Sequence, residues 1–167
     1  MRILKNPNDS REYLNAMGYL IEAAKVAENA TCKRAKYGTV VVKNGKIIGS
    51  GFNSPPGNNE KLRRCDRPKS EYNNKVTDKT CCIHAEQRAI MDALKNFSDE
   101  LPGSVLYFAR VNTAGEIIPS QELYCTFCMK LAFDIGITYF VLLRADGICQ
   151  YDMANAIKLS YDFGCVL

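Results

Sequence analysis

The chain contains one histidine and eight cysteines. The histidine stands in the stretch TCCIHAEQRAIMDA, between the pair Cys81-Cys82 and a glutamate, Glu86. Further along, CTFC supplies Cys125 and Cys128 as a Cys-x-x-C pair. His84 and these two thiols offer three soft or borderline metal donors, one short of the four that closed structural zinc sites use. The remaining position would hold water, whose pKa a zinc ion lowers to near ~7, so that a nucleophile is available at neutral pH. Two thiolates and a neutral imidazole cancel the charge of the ion. Glu86 is poorly suited as a fourth ligand if it must accept and return a proton, and well suited as a general acid/base beside the metal. The chemistry indicated is metal-assisted hydrolysis.

These residues need particular elements to hold them. Residues two apart in a helix interior point to nearly opposite sides, so His84 and Glu86 can share a site only at a helix end. Ala85, Ala89, Ile90, Ala93, Leu94 and Phe97 trace one face of a helix that starts there. CTFCMKLAFDIG reads as another helix, closed by Gly136 as a natural C-cap. Side chains at two helix starts lean toward the N-terminus and converge beyond the ends. The dipole and the free backbone N–H groups there also favour thiolates.

The remaining pattern supplies a frame. Tyr13, Leu14, Met17, Leu20, Ile21, Ala24 and Ala27 recur at helical spacing from Arg11 to about Ala30, behind the capping candidates Asp9 and Ser10. TVVVKNGKIIGSGFN joins two β-branched runs through Asn44-Gly45, the dipeptide that suits a two-residue hairpin. SVLYFARV and ITYFVLL read as strands alternating with helices, which implies parallel crossovers and a mixed sheet covered by helices. A short helix is expected between Asp152 and the end.

At 167 residues, with 47% apolar and 24% charged residues, the chain has the size of one globular domain, here residues 1–167. Neither a secretory leader nor an apolar run of membrane-spanning length is recognisable, so a cytoplasmic protein with no membrane partner is expected. Disulfide frameworks belong to small secreted domains, so reduced thiols are the expected state. A net charge of +4 does not mark a nucleic-acid binder. The excess is local: Lys61, Arg63, Arg64, Arg67, Lys69, Lys75 and Lys79 outnumber Glu60, Asp66, Glu71 and Asp78 within one long Pro- and Asn-rich excursion. This segment is either a solvated loop or the receptor of a phosphate.

HAE opening one helix and CTFC opening a later one resemble the signature of the zinc-dependent cytidine and deoxycytidylate deaminases. YGTVVVKNGKIIGSGFNSPPG also resembles their hairpin and Gly-aromatic-Asn-x-x-Pro segment, so the likeness runs from about Tyr37 to Leu143. It implies an α/β fold, the cytidine deaminase-like three-layer α-β-α sandwich with a mixed five-stranded sheet. It further implies that His84, Cys125 and Cys128 hold Zn2+ and that Glu86 is the catalytic proton carrier. Asn53 would bond the sugar and the Ala85 backbone would contact the pyrimidine edge. Within the family the charged excursion most resembles the deoxycytidylate branch, with Arg63, Arg64 and Lys69 as candidates for the phosphate. The implied reaction is dCMP to dUMP plus ammonia, in a homo-oligomer acting on a small nucleotide.

Two features depart from the family pattern. Tyr124 stands where the family has Pro before the first cysteine, and VNTAGEIIPSQEL separates the strand from the cysteines, with Ala114-Gly115 as the turn of a small hairpin beside the pocket. Cytidine, a modified cytosine or a tRNA adenosine are the alternative substrates, and a catalytically silent zinc module is the non-enzymatic alternative. A Cys-x-x-C pair also fits a thioredoxin-like redox site, which has no need of an upstream His-x-Glu. Cys65, Cys81 and Cys82 read as small buried hydrophobes rather than as a second structural zinc site, since no second histidine completes one. Cys32, Cys149 and Cys165 read as core or tail residues.

Overall fold

The computed structural model describes residues 1–4, 11–76, 78–120, 123 and 125–163. Its elements are β1 (Arg2–Leu4), α1 (Arg11–Ala27), β2 (Lys36–Lys43), β3 (Lys46–Phe52), α2 (Ala85–Asn96), β4 (Val105–Val111), β5 (Ile117–Ile118), α3 (Thr126–Asp134), β6 (Tyr139–Arg144), β7 (Gly147–Asp152) and α4 (Met153–Asp162). Asn44 and Gly45 both adopt positive φ, 49° and 80°, and fold β2 onto β3 as the expected antiparallel hairpin. Helix α1 stops at Ala27, and tighter bonds from the N–H groups of Glu28, Asn29 and Ala30 continue the turn to Ala30. The capping candidates Asp9 and Ser10 lie outside the described residues.

The strands form one mixed sheet in the order β1-β7-β6-β4-β2-β3, with β5 paired to β4. The five longer strands make the expected sheet; the short β1 and β5 enlarge it to seven among the described residues. Only β4 and β6 pair in parallel, across the crossover that contains α3. Strand β7 returns antiparallel to β6 instead, through a turn in which Gly147 has φ 125°. The insertion folds as expected: β5 pairs antiparallel with the end of β4, and Gly115 takes φ 83° in the turn.

Alternation along β2 produces the layers. Val40 and Val42 pack with Ala23, Ala24 and Ala27 of α1, whereas Val41 between them packs with Ala89 and Ala93 of α2. On the α2 side, Met129 of α3 and Ala156 of α4 cover Phe140, Leu142 and Cys149. On the other side, Leu20 of α1 covers Val141 and Ile148. One face therefore carries α1 and the other α2, α3 and α4. Leu94, expected on the buried face of α2, is 45% exposed, because the buried stripe runs through Ala85, Ala89, Ile90 and Ala93. Helix α3 ends as predicted: Gly136 has φ 83°, its N–H bonds Phe133 O, and the Ile137 N–H bonds Ala132 O.

Helix α2 lies unusually close to β3. A Cβ on Gly51 would stand 2.4 Å from Ala85 O and 2.4 Å from Ala89 N, and one on Gly49 would stand 2.3 Å from Ala89 O. The absence of side chains on this strip lets the start of α2 rest against the sheet backbone. Gly51→Ala is expected to lower the unfolding free energy by about 3 kcal/mol, the upper end of overpacking costs. Urea denaturation measures this, and an unchanged midpoint would show that the helix can move away freely.

Candidate active site and metal centre

The two helix starts converge as the donor spacing requires. His84 is the N-cap of α2, with φ −71° and ψ 154°, and its N–H bonds the Gln87 Oε1 at 2.9 Å. Being extended rather than helical, it shares a cavity with Glu86 instead of pointing away from it. Cys125 is the N-cap of α3 and Cys128 lies in its first turn. The His84 Nδ1 is 3.3 Å from the Sγ of Cys125 and 3.3 Å from that of Cys128, and the two sulfurs are 3.3 Å apart. Tetrahedral zinc with its usual bond lengths sets such edges at about 3.5 to 3.8 Å. A small outward shift of this triangle admits the ion, and the soft donor set suits it.

The electrostatics agree. Hydrogen bonding from Cys128, then from His84, holds the Cys125 thiol down to about 4. The bond to Cys125 raises the His84 imidazole to about 9 against the opposing effect of burial. Cys128 is pushed well above its usual value, by Cys125 first and then by burial. Protons on the imidazole and on Cys128 thus accompany the Cys125 thiolate, and these are the protons a divalent cation would displace. Glu86 is 7% exposed, and burial raises its carboxyl above the ordinary value.

The cavity around these groups measures about 220 Å³. Phe108 and Phe140 form one wall, with Tyr37 stacked on Phe108 at 5.2 Å. Asn53, 4% exposed, also lines the cavity. Its Oδ1 accepts from the Tyr37 N–H and its Nδ2 donates to Ala35 O, each at 2.9 Å, which leaves one Nδ2 hydrogen. Asn53 thereby fixes the entry to β2 and faces the site. Ala85 is fully buried against Gly51, with only its neighbours His84 and Glu86 lining the cavity.

Five cationic side chains, Arg34, Arg64, Lys69, Lys79 and Arg110, line the cavity, and Glu86 is the only carboxylate among its described lining residues. Arg64 donates to Thr80 O and Asp78 O at 2.7 and 3.2 Å and lies over the Tyr72 ring. Arg34 donates to Cys65 O at 2.9 Å. Neutral carbonyls hold both groups in place without cancelling their charge. Arg63 differs: its guanidinium pairs with Glu60, also reaches Thr31 Oγ1 and Cys65 Sγ, and does not line the cavity. The expectation that Arg63 contacts substrate therefore meets a side chain already neutralised, and Arg34 and Arg110 stand where it was expected.

Residues 11–144 match the cytidine and deoxycytidylate deaminase zinc-binding region. The chain belongs to this family. A deoxycytidylate deaminase of Mycobacterium phage D29 is 30% identical over 95 residues, 53% of this chain and 71% of that one. Another from Schizosaccharomyces pombe is 31% identical over 94 residues, 54% of this chain but only 29% of the longer relative. The dCMP deaminase of cyanophage S-TIM5, solved in complex with dCMP and dUMP, shares the fold at a TM-score of 0.59 and 22% identity, over 93% of this chain and 95% of that one. The cytidine deaminase from Burkholderia pseudomallei does so at 0.52 and 20% identity, over 82% and 92%. As a member of the deaminase family, the protein is a zinc-dependent hydrolase. No described helix is long and apolar enough to cross a membrane.

Several site features of this deaminase were not legible from spacing. Arg34 and Arg110 lie outside the charged excursion and arrive through β2 and β4, which pair Tyr37 with Arg110. Ser120, whose buried Oγ has no hydrogen-bond partner among the described residues, brings the insertion into the cavity wall. Cys32, expected in the core or tail, lines the cavity with Cys65, Cys81 and Cys82. Cys149 is fully buried as expected, while Cys165 and Tyr124 lie outside the described residues.

Proposed function

We propose that the protein converts dCMP to dUMP and ammonia. The observation that carries this reading is a single cavity lined by His84, Cys125, the buried Glu86 and five cationic side chains, with Cys128 grouped beside the first two as the third donor. Its relatives from phage D29 and fission yeast are deoxycytidylate deaminases, and the S-TIM5 structure holds dCMP and dUMP. His84, Cys125 and Cys128 hold the zinc ion, which supplies Lewis-acid activation of water when bound. Glu86 would accept a proton from that water and donate it to the ring nitrogen beside the attacked carbon, then take the proton of the hydroxyl added to that carbon and deliver it to the departing amino group, which leaves as ammonia. The aromatic wall of Phe108 and Phe140 excludes bulk water from the base. The free Nδ2 hydrogen of Asn53 bonds the sugar, whereas Ala85, expected to meet the pyrimidine edge, does not line the cavity. Arg64 and Arg34, pre-oriented by carbonyls, bind the phosphate with Lys69, Lys79 and Arg110 around them.

Residues 1–167 are read as one domain, supported by the pairing of β1 near one end of the chain with β7 near the other. A cytoplasmic homo-oligomer is the working form in this reading, and the exposed Phe127 and Phe133 of α3 support the association.

Ammonia release from the zinc-loaded protein, with dCMP, CMP, deoxycytidine, cytidine and cytosine in parallel, tests the proposal. The expected kcat/KM for dCMP exceeds that for deoxycytidine by about 100-fold, the worth of one or two charge-assisted hydrogen bonds. Equal turnover of the two would sink the phosphate role. Silence on all five would move the substrate to a modified base or to RNA.

A further inference from the structure

Part of the cavity wall comes from the end of β4 and the insertion after it, not from the charged excursion. Along β4, Tyr107, Ala109 and Val111 pack on the α1 side, so Leu106, Phe108 and Arg110 face the other way, toward the site. Val111 and its partner Ile117 of β5 also lie on the α1 side. Ile118, opposite Arg110, and Ser120, two residues on, therefore belong to the site side. Ser120 is tied to β6, where its N–H donates to Leu143 O at 2.8 Å. Arg110 and Ser120 thus line the cavity at the carboxyl ends of β4 and β6, the strands that pair in parallel. Crevices beyond such ends are where α/β sheets receive ligands.

Both side chains carry hydrogen-bonding capacity that the protein leaves unused. Arg110 is half-buried, yet its guanidinium has no ion-pair or hydrogen-bond partner among the described residues. Arg34 and Arg64 differ, since both spend donors on backbone carbonyls. The Ser120 Oγ is buried without a partner among the described residues. An orphaned buried hydroxyl weakens the fold, and native structures keep few of them. Its presence in a cavity wall points to a ligand that satisfies it. Arg110 also stands directly across from Tyr37 where β2 pairs with β4, and the Tyr37 N–H is held by Asn53, the residue read as binding the sugar. This register puts Arg110 at the sugar end of the site.

We propose that Arg110 and Ser120 are specificity-determining residues that bind the nucleotide phosphate together, from a wall separate from the excursion. The proposal rests on the dCMP reading, which names the anion. The guanidinium fork offers two parallel N–H donors to the phosphate oxygens, and the Ser120 hydroxyl offers a third donor. Strand β4 is paired on one edge with β2 and on the other with β6 and β5, so the sheet itself fixes the root of Arg110. Arg64 comes instead from an excursion whose regular structure is three short 3₁₀ turns and one isolated bridge. The insertion by which this chain departs from the family pattern thereby gains a role: β5 braces Arg110, and its continuation delivers Ser120.

Calorimetry on the zinc-loaded protein with dUMP and with deoxyuridine, neither of which needs turnover, tests the proposal. Arg110→Met keeps the apolar stem and removes the charge. It is expected to bind dUMP about tenfold more weakly and deoxyuridine within about twofold of wild type. Arg110→Lys should recover part of the loss, because it restores the charge without the fork. Ser120→Ala should bind dUMP about threefold more weakly yet melt no earlier than wild type, since the unpaired hydroxyl is gone. Lys61→Ala, which removes an exposed charge outside the cavity, should leave both affinities within about twofold. Equal weakening of dUMP and deoxyuridine in Arg110→Met would make Arg110 a structural part of the wall and overturn the proposal, as would unchanged binding of dUMP. Should Arg110→Met not fold, Arg110→Lys decides by whether the preference for dUMP over deoxyuridine falls. A Ser120→Ala protein that melts earlier and binds dUMP as wild type would remove Ser120 from the phosphate. Equal binding of the two ligands by the wild-type protein would overturn the dCMP reading itself. A wild-type preference for dUMP that survives in both variants would overturn this assignment alone.

Discussion

Glu86→Gln is expected to lower kcat for dCMP by about 10³-fold or more while the zinc content stays at the wild-type level. The glutamine keeps the volume of a side chain that is 7% exposed in the first turn of α2, so packing around it is preserved. What it loses is the ability to carry a proton, and positioned proton transfer contributes typically 10² to 10⁴-fold. Glu86 is asked to move a proton more than once in the cycle, which places the expectation toward the upper part of that range. Steady-state kinetics with elemental analysis of the same preparation checks it. Retention of activity at full zinc would remove Glu86 from the chemistry and favour a module that binds nucleotide without turning it over.

Cys128→Ser should abolish detectable deamination, lose one zinc equivalent relative to wild type and melt earlier. Outer-shell partners of metal ligands typically cost 10 to 100-fold in metal affinity or activity when removed, so a direct donor should cost more than about 100-fold in zinc affinity. Cys128 is fully buried and packs with Met129, Ala132 and Phe140, so the variant also sets an unmetallated hydroxyl into the core. Loss of a site otherwise held at 100 times its Kd removes about 2.7 kcal/mol of ligand-linked stability. That corresponds to roughly 5 to 10 °C at this chain length. Differential scanning fluorimetry should show the shift, and chelation of the wild-type protein should shift its melting in the same direction. Full zinc and an unchanged melting temperature would exclude Cys128 as a ligand.

Local pattern made part of this molecule readable. Asn44-Gly45 announced its hairpin because the dipeptide tolerates positive φ at both positions. The start of α2 was readable from chemistry, since His84 and Glu86 can meet only where one of them is not yet helical. Strand β7 escaped because ICQYD is short and contains only a brief alternation, although Asp146-Gly147 was a usable turn signal. The expected parallel pairing holds between β4 and β6, and the unread β7 joins the sheet beside β6 through a hairpin. Arg110 and Cys32 escaped for another reason. Their roles depend on which strands become neighbours, and that register is not written in the residues beside them. Leu94 shows the converse, an apolar residue at helical spacing that stands outside the buried stripe and in solvent.

The glycine strip of β3 has a consequence for how this enzyme can change over generations. Gly49 and Gly51 carry no reactive atom, yet they set the plane on which the catalytic helix rests. Selection acting only on turnover would purge substitutions there almost as efficiently as at the metal donors. A strand chemically silent in every step would then bear the mutational intolerance of an active site, and the intolerance would be steric.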